Sequence, residues 1–321
     1  MRGQHKKRVL LSFAITVYLF FAYLILTSCA TFTNVHDSNV HRIDNLSSTY
    51  VPTRNIDVWL PNNYNAKEQY AVLYMHDGQM LFDSTNTWTG QEWGVDETMD
   101  QLLKENKVIN TIVVGIWNTP NRHSEYFPEK PFRQLPQSHQ DSLLTHNRNS
   151  GEKLFKTDVY SDNYLKFIVN ELKPYIDSTY STNPEMQNTF IAGSSMGGLI
   201  SFYAICEYPD VFSGAACLST HWIGTFDTLN NPIPNKIIAY LDEYLPDPTT
   251  HKIYFDHGTE TLDALYELYQ KRVDTIISRH GYDRTNWKTI KFEGENHTED
   301  AWKKRLHIPL QFLLKKPYVH E

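Results

Sequence analysis

Serine is a poor nucleophile at its free pKa and attacks an acyl carbon only with a base beside it and a fixed geometry around it. Residues 190–200, FIAGSSMGGLI, form a short apolar run that breaks into Gly193-Ser194-Ser195-Met196-Gly197 and then resumes. This is GxSxG with Ser195 at its centre. In a nucleophile elbow a strand ends, the chain turns sharply and a helix begins, so the residues two before and two after the serine must be small for the backbones to approach. A Gly- and Ser-rich turn can carry the same letters without chemistry. Context favours the catalytic reading: Thr189, Phe190 and Ile191 read as a strand leading in, and residues 199–208 as a buried helix leading out.

The elements that would carry such a serine recur along the chain. Residues 70–75, 111–117, 189–192, 214–218, 252–255 and 287–292 are apolar strand runs, the first two continuous as in a sheet covered on both faces. Helical patterns lie between them at 95–105, 163–176, 196–208, 236–244 and 262–280, and a last one near 298–314 breaks before Pro309. This alternation predicts an α/β fold, a mainly parallel doubly wound sheet with helices on both faces. Residues 54–60 alternate and suggest an early, half-exposed antiparallel strand. Residues 127–159, with Pro128, Pro131 and Pro136, show no clear pattern and read as a lid or disordered insertion overhanging the site.

In such sheets ligands sit beyond the carboxyl ends of the strands, so partners for Ser195 belong on the loops that follow them. His297 stands after the last strand and before the last helix, where a general base would be expected; a solvated loop histidine is the bland alternative. The loop after 252–255 offers Asp256, Glu260 and Asp263 as the orienting acid. Asp256 is read as closing the strand and Asp263 as sitting in the first helical turn, where the helix dipole favours a carboxylate for structural reasons alone. Glu260, ahead of a Thr261 N-cap, is therefore preferred, with Asp263 as the alternative. The oxyanion hole needs two N–H groups: Met196 supplies one, and Gly78, Gln79 or Met80, with Gln79 chosen, the other. His221, Trp222 and Arg122 follow strands on the same edge and are candidates for substrate contact, level with simple bracing of the loops.

Six pieces spanning nearly all of the chain after its N-terminal region then resemble the esterase family of α/β-hydrolases that includes esterase D-type, feruloyl, acetyl-xylan and enterochelin esterases. They are YMHDGQMLFD at 74–83, VVGIWNTPNRHSEYFP at 113–128, FIAGSSMGG at 190–198, LSTHW at 218–222, YFDHGTETLD at 254–263 and GENHTEDAWKKRL at 294–306. The resemblance implies an α/β-hydrolase fold, Ser195 as nucleophile, His297 as base and an acid on the 258–263 loop. Relatives often carry aspartate three residues after the glycine, where this chain has Thr261, so the acid stays open between Glu260 and Asp263.

The N-terminus reads as an address. Arg2, Lys6, Lys7 and Arg8 precede an almost unbroken apolar run, residues 9–26, and Leu26-Thr27-Ser28-Cys29 resembles a bacterial lipobox. The expected organisation is a lipoprotein signal peptide at 1–28, a tether at 29–53 starting from lipidated Cys29, and an esterase domain at 54–321. An uncleaved signal anchor is the alternative. Either places the remainder outside the cytoplasmic membrane, tethered to it. Cleavage removes four cations and no acid, taking the net charge from −7 to −11, which argues against nucleic acid as a partner. Cys206 and Cys217 sit in apolar context and are expected as buried free thiols. No CxxC or histidine cluster suggests a metal, and hydrolysis by serine, histidine and acid needs no cofactor. The function expected is ester hydrolysis, with acyl esters of carbohydrate as first substrate; siderophore esters, a peptidase or acyltransferase on the same triad, or a non-catalytic glycan-binding protein are the alternatives.

Overall fold

Runs of apolar residues flanked by turn-forming ones fold into strands covered on both faces, and the computed structural model, which describes residues 32–34, 39–148 and 151–316, shows five of them in one parallel array with a sixth, partly exposed strand, Trp287–Lys291. The chain divides into two units, Met1–Thr33 and Asn34–Glu321. Of the first, only the start of a short strand, Phe32–Asn34, is described. The basic leader, the apolar run and Cys29 lie outside the described residues, among which no helix is long and apolar enough to cross a membrane.

The second unit contains β1 (Val40–Leu46), β2 (Arg54–Trp59), β3 (Ala71–His76), β4 (Thr111–Ile116), β5 (Thr189–Ser194), β6 (Gly214–Leu218), β7 (Lys252–His257) and β8 (Trp287–Lys291). Its helices are α1 (Val95–Lys104), α2 (Arg122–Tyr126), α3 (Glu129–Arg133), α4 (Gln137–Thr145), α5 (Ser161–Phe167), α6 (Lys173–Thr179), α7 (Met196–Glu207), α8 (Ile233–Tyr244), α9 (Glu267–Arg279), α10 (Glu299–Arg305) and α11 (His307–Leu313). The sheet order is β1-β2-β4-β3-β5-β6-β7-β8, with β3 to β8 parallel and β1 and β2 antiparallel. The carboxyl ends of the parallel strands therefore share one edge, with β5 near its middle.

Alternate residues of each strand feed two cores. Val72 and Tyr74 enter the larger one with α5, α7, α8 and α9, while Leu73 and Met75 enter the other with α1, α10 and α11. Every residue of α7 except Glu207 is buried, which fixes the helix behind Ser195 as part of the core. Cys206 and Cys217 are free, buried thiols.

Three expectations change. The stretch expected as tether contains β1, paired in register with β2; a bulge between Ile43 and Leu46 breaks its two-residue period and hides it from pattern reading. β2 is buried at every residue but Asn55 instead of half-exposed, and both its edges are paired, with β1 and β4. The 127–159 insertion is not patternless: it holds α3 and α4, and Phe127, Phe132 and Phe155 pack into a buried aromatic cluster edge-on to His123. As expected, the last helix is interrupted before Pro309: it breaks at Leu306, and Pro309 falls in the first turn of α11, where its missing N–H costs nothing.

Candidate active site

Ser195 follows β5 at φ 55°, ψ −121°, a conformation that a non-glycine residue holds only where its surroundings impose it. They do so on three sides. Its N–H donates to the Leu218 carbonyl at 2.9 Å, and its carbonyl accepts from Leu199 at 3.0 Å and from His221 at 3.2 Å. A Cβ at Gly193 would lie 2.7 Å from the carbonyl carbon of Gly197, so the first glycine of GxSxG is required by the crossing of the backbone over itself, whereas a Cβ at Gly197 would press on the Asp77 and His76 side chains at 3.3 Å.

His297 lies on the loop after β8, on the same edge. Its Nδ1–H donates to Asp263 Oδ1 at 2.5 Å, which leaves Nε2 as the free, basic nitrogen of the ring. The rings of Tyr266 and Trp302 stand edge-on to it, at 5.8 and 5.0 Å between centroids. Glu260, the acid preferred from the sequence, is exposed and is not among the residues bonded to His297. The physical reason is Thr261, whose left-handed φ of 53° turns the chain inward so that Asp263 lies in a short 3₁₀ turn, Thr261–Leu265, ahead of α9 rather than in an outward-facing α-helical turn. Asp263 is fully buried, and its Oδ2 also accepts from Ser219 Oγ at 2.7 Å and the Gly258 N–H at 2.6 Å. Burial alone would raise its pKa; the bonds from His297, Ser219 and Gly258 outweigh that and hold it below the usual carboxylate range.

Ser219 Oγ is itself held by Trp302 Nε1 at 2.9 Å and Arg305 Nη2 at 3.0 Å, and Arg305 also pairs with buried Asp256 at 2.9 Å. The loops carrying acid and base are stitched directly: the N–H groups of Thr259 and Glu260 both donate to the Glu295 carbonyl at 3.1 Å, and the His297 N–H to Thr261 Oγ1 at 3.0 Å. A Cβ at Gly258 would fall 2.1 Å from that same carbonyl oxygen and 3.0 Å from Asp263 Oδ2. Gly258→Ala is therefore expected to cost about 3 kcal/mol of stability and to lower kcat at least tenfold, readable from urea midpoints and steady-state rates on one preparation.

On the other side of Ser195, Asp77 follows β3 in the left-handed region at φ 58° and is buried. Arg122 grips it with two bonds of 2.7 Å and Asn118 Nδ2 with one of 2.5 Å, while the Asn118 N–H donates to Gln79 Oε1 at 3.1 Å. The Met80 N–H is committed to the Asp77 carbonyl at 2.8 Å, which removes it from the three oxyanion candidates and leaves Gly78 and Gln79. Met196 opens α7, where the first backbone N–H groups have no partner within the helix.

The three candidate substrate contacts turn out differently. Trp222 is fully buried, packs against Phe202 and Phe255 and donates to Gln270 at 3.0 Å; it is core, out of a ligand's reach. Arg122 spends its fork on Asp77. His221 is buried, with Nδ1 2.6 Å from the Tyr266 hydroxyl, and burial followed by His123, His297 and Arg122 keeps it well below its usual pKa, hence neutral. Tyr266 had no signal in the sequence beyond being one tyrosine among twenty. Its hydroxyl faces the Ser195 side chain as well as His221, and burial first and then Asp263 keep it protonated. Tyr266→Phe is expected to remove the His221 partner at a cost of about 1–3 kcal/mol and to slow acylation severalfold, checked by kcat/KM beside the denaturation midpoint.

The chain is 24% identical over 257 residues to the uncharacterized protein YbbA of Bacillus subtilis, covering 79% of this chain and 84% of that one. Among solved structures it is similar to a ferulic acid esterase (TM-score 0.60, 18% identity, 86% of this chain and 98% of that one). It is equally similar to an IroE-like serine hydrolase from Shewanella oneidensis (TM-score 0.60, 19% identity, 86% and 80%). At those identities the structural likeness speaks for the α/β-hydrolase fold. The model of the Esterase family, described as "Putative esterase", matches residues 47–312, and with that match over most of its length the chain belongs to this family.

Proposed function

We propose that this esterase hydrolyses acyl esters of carbohydrate, of acetyl or feruloyl type, through an acyl-enzyme on Ser195. The observation that carries the reading is the 2.5 Å bond from His297 Nδ1 to buried Asp263, which directs the basic Nε2 to the edge where Ser195 is held at its strained turn. His297 Nε2 takes the Ser195 proton as Oγ adds to the ester carbonyl, and the N–H groups of Met196 and Gln79 receive the oxyanion. The tetrahedral species collapses, His297 protonates the departing alcohol, and the acyl group stays on Oγ. Water, deprotonated by His297, then adds to the acyl-enzyme and releases the acid.

Asp263 stays ionised throughout and stabilises the imidazolium, without taking its proton. Exposed Phe226, whose ring centre is 5.9 Å from that of His221, offers an apolar surface for the acyl group. Support for the feruloyl type comes from similarity to structures named for ferulic acid esterases, while similarity to one named for an enterochelin esterase supports siderophore esters as the alternative. Lipidation at Cys29 would hold the enzyme on the outer side of a bacterial membrane, where such polymers are met. Hydrolysis of p-nitrophenyl acetate, butyrate and ferulate, with acid release from acetylated and feruloylated xylan, tests the reading. Turnover of the small esters but of neither xylan would remove carbohydrate from it, and turnover of none would remove the esterase mechanism.

A further inference from the structure

The edge of the sheet opposite Ser195 carries a feature the ester chemistry does not use. An open trough of about 1190 Å³ lies at the amino-terminal ends of β7 and β8, beside α11. Lys107, Lys252, Arg284, Lys288, Lys315 and Lys316 line it together with His307, and no Asp or Glu among the described residues does. In a chain of net charge −7 this is a strong local reversal of sign. Lys252 and Lys288 project to the same face from neighbouring strands, since Lys288 is in register with Tyr254 and Lys252 lies two residues before it.

Among the described residues, acids offset part of this charge and leave the rest. Glu105 pairs with Lys107 at 2.5 Å and Asp283 adjoins Arg284, whereas Lys252 and Lys288 are in none of the ion pairs among the described residues. Glu97 and Glu105 face the adjoining cleft beyond Lys107 and His307 instead. Burial and then the charge of Lys315 push the Lys252 ammonium below its ordinary range, as happens where cations are crowded together and partly desolvated.

We propose that this trough binds a segment of an acidic polysaccharide, a chain bearing carboxylate or sulfate groups, at a site separate from the one that cleaves esters. Its concavity suits an inserted chain, whereas a bilayer is flat and would meet only protruding lysines. Its size exceeds what a single small anion fills. Gln311, Thr285 and Asn106 add polar groups for sugar hydroxyls between the cations. Nucleic acid fits less well: the one phenyl ring among the described lining residues, Phe312, already has the Lys288 ammonium 5.6 Å and the Tyr254 ring 6.1 Å from its centre, so it is not free to take a stacked base.

The test uses the full-length chain and measures binding to polygalacturonate and heparin, with dextran, phosphatidylglycerol vesicles and a single-stranded oligonucleotide as the other arms. Wild type is expected to bind at least one acidic polysaccharide tenfold or more tightly than dextran, with affinity falling linearly in log–log against salt. The triple variant Lys252→Gln, Arg284→Glu, Lys288→Glu should lose at least tenfold. Lys288→Glu alone, an exposed change that spares the fold, should lose at least threefold. A matched triple at exposed sites elsewhere, Lys67→Gln, Lys166→Glu, Arg272→Glu, should change binding less than twofold. An unchanged melting temperature and ester turnover separate lost binding from lost fold. Equal binding by wild type and Lys288→Glu, equal losses in the two triples, or tighter binding to vesicles or oligonucleotide than to either acidic polysaccharide would overturn the proposal.

Discussion

Ser195→Ala is expected to lower kcat for p-nitrophenyl esters by roughly 10⁴- to 10⁶-fold. Without Oγ no acyl-enzyme can form, and what survives is the catalysis that an oxyanion hole and substrate binding give to attack by water. The change should leave the fold intact. Ser195 is half-buried, its backbone bonds to Leu218, Leu199 and His221 do not involve the side chain, and alanine meets the same left-handed strain as serine. The denaturation midpoint is therefore expected to move by no more than about 0.5 kcal/mol. A variant equally stable that keeps even a tenth of wild-type kcat would remove Ser195 from the mechanism.

The second large effect separates the two acids. Asp263→Asn is nearly isosteric, but its amide can donate to His297 Nδ1 and so favour the tautomer whose Nε2 carries a proton toward Ser195. The expected loss in kcat is on the order of 10⁴-fold. Glu260→Gln removes a charge from an exposed residue at the cap of the 3₁₀ turn and should change kcat less than twofold. Asn at 263 also weakens the acceptor for Gly258 N–H and Ser219 O–H. Circular dichroism at the assay temperature shows whether the loss is catalytic or structural, and Ser219→Ala, which removes one of those bonds while keeping the carboxylate, should cost far less activity than Asp263→Asn. Comparable losses in the 260 and 263 variants would mean that the acid is not assigned by this geometry.

The sequence made the sheet legible wherever strands are central. Residues 70–75 and 111–117 are continuous apolar runs because each strand is covered on both faces, and β3 and β4 form there. β1 was hidden because its bulge disrupts the alternation that marks a half-exposed strand. α4, QSHQDSLLT, buries only Gln140 and so carries no apolar period to detect.

At the site, Ser195 and His297 could be picked out because a motif and a loop position depend on local sequence alone. The acid could not. Choosing Asp263 over Glu260 depends on a positive φ at Thr261 and on a partner 34 residues away in sequence. The same holds for Tyr266, Ser219 and Arg305, whose side chains act across the edge of the sheet. It also holds for Trp222, whose place beside the motif residues suggested a ligand contact but whose ring is core.

The most direct measurement is to quench a reaction with p-nitrophenyl ferulate during its first turnover and locate the acyl group by peptide mass spectrometry. The mechanism predicts a feruloyl adduct on Ser195 in the peptide containing GSSMGG, absent in Ser195→Ala and accumulating with a burst of p-nitrophenol no larger than one per enzyme. An adduct on another residue, or turnover that persists in Ser195→Ala, would contradict it.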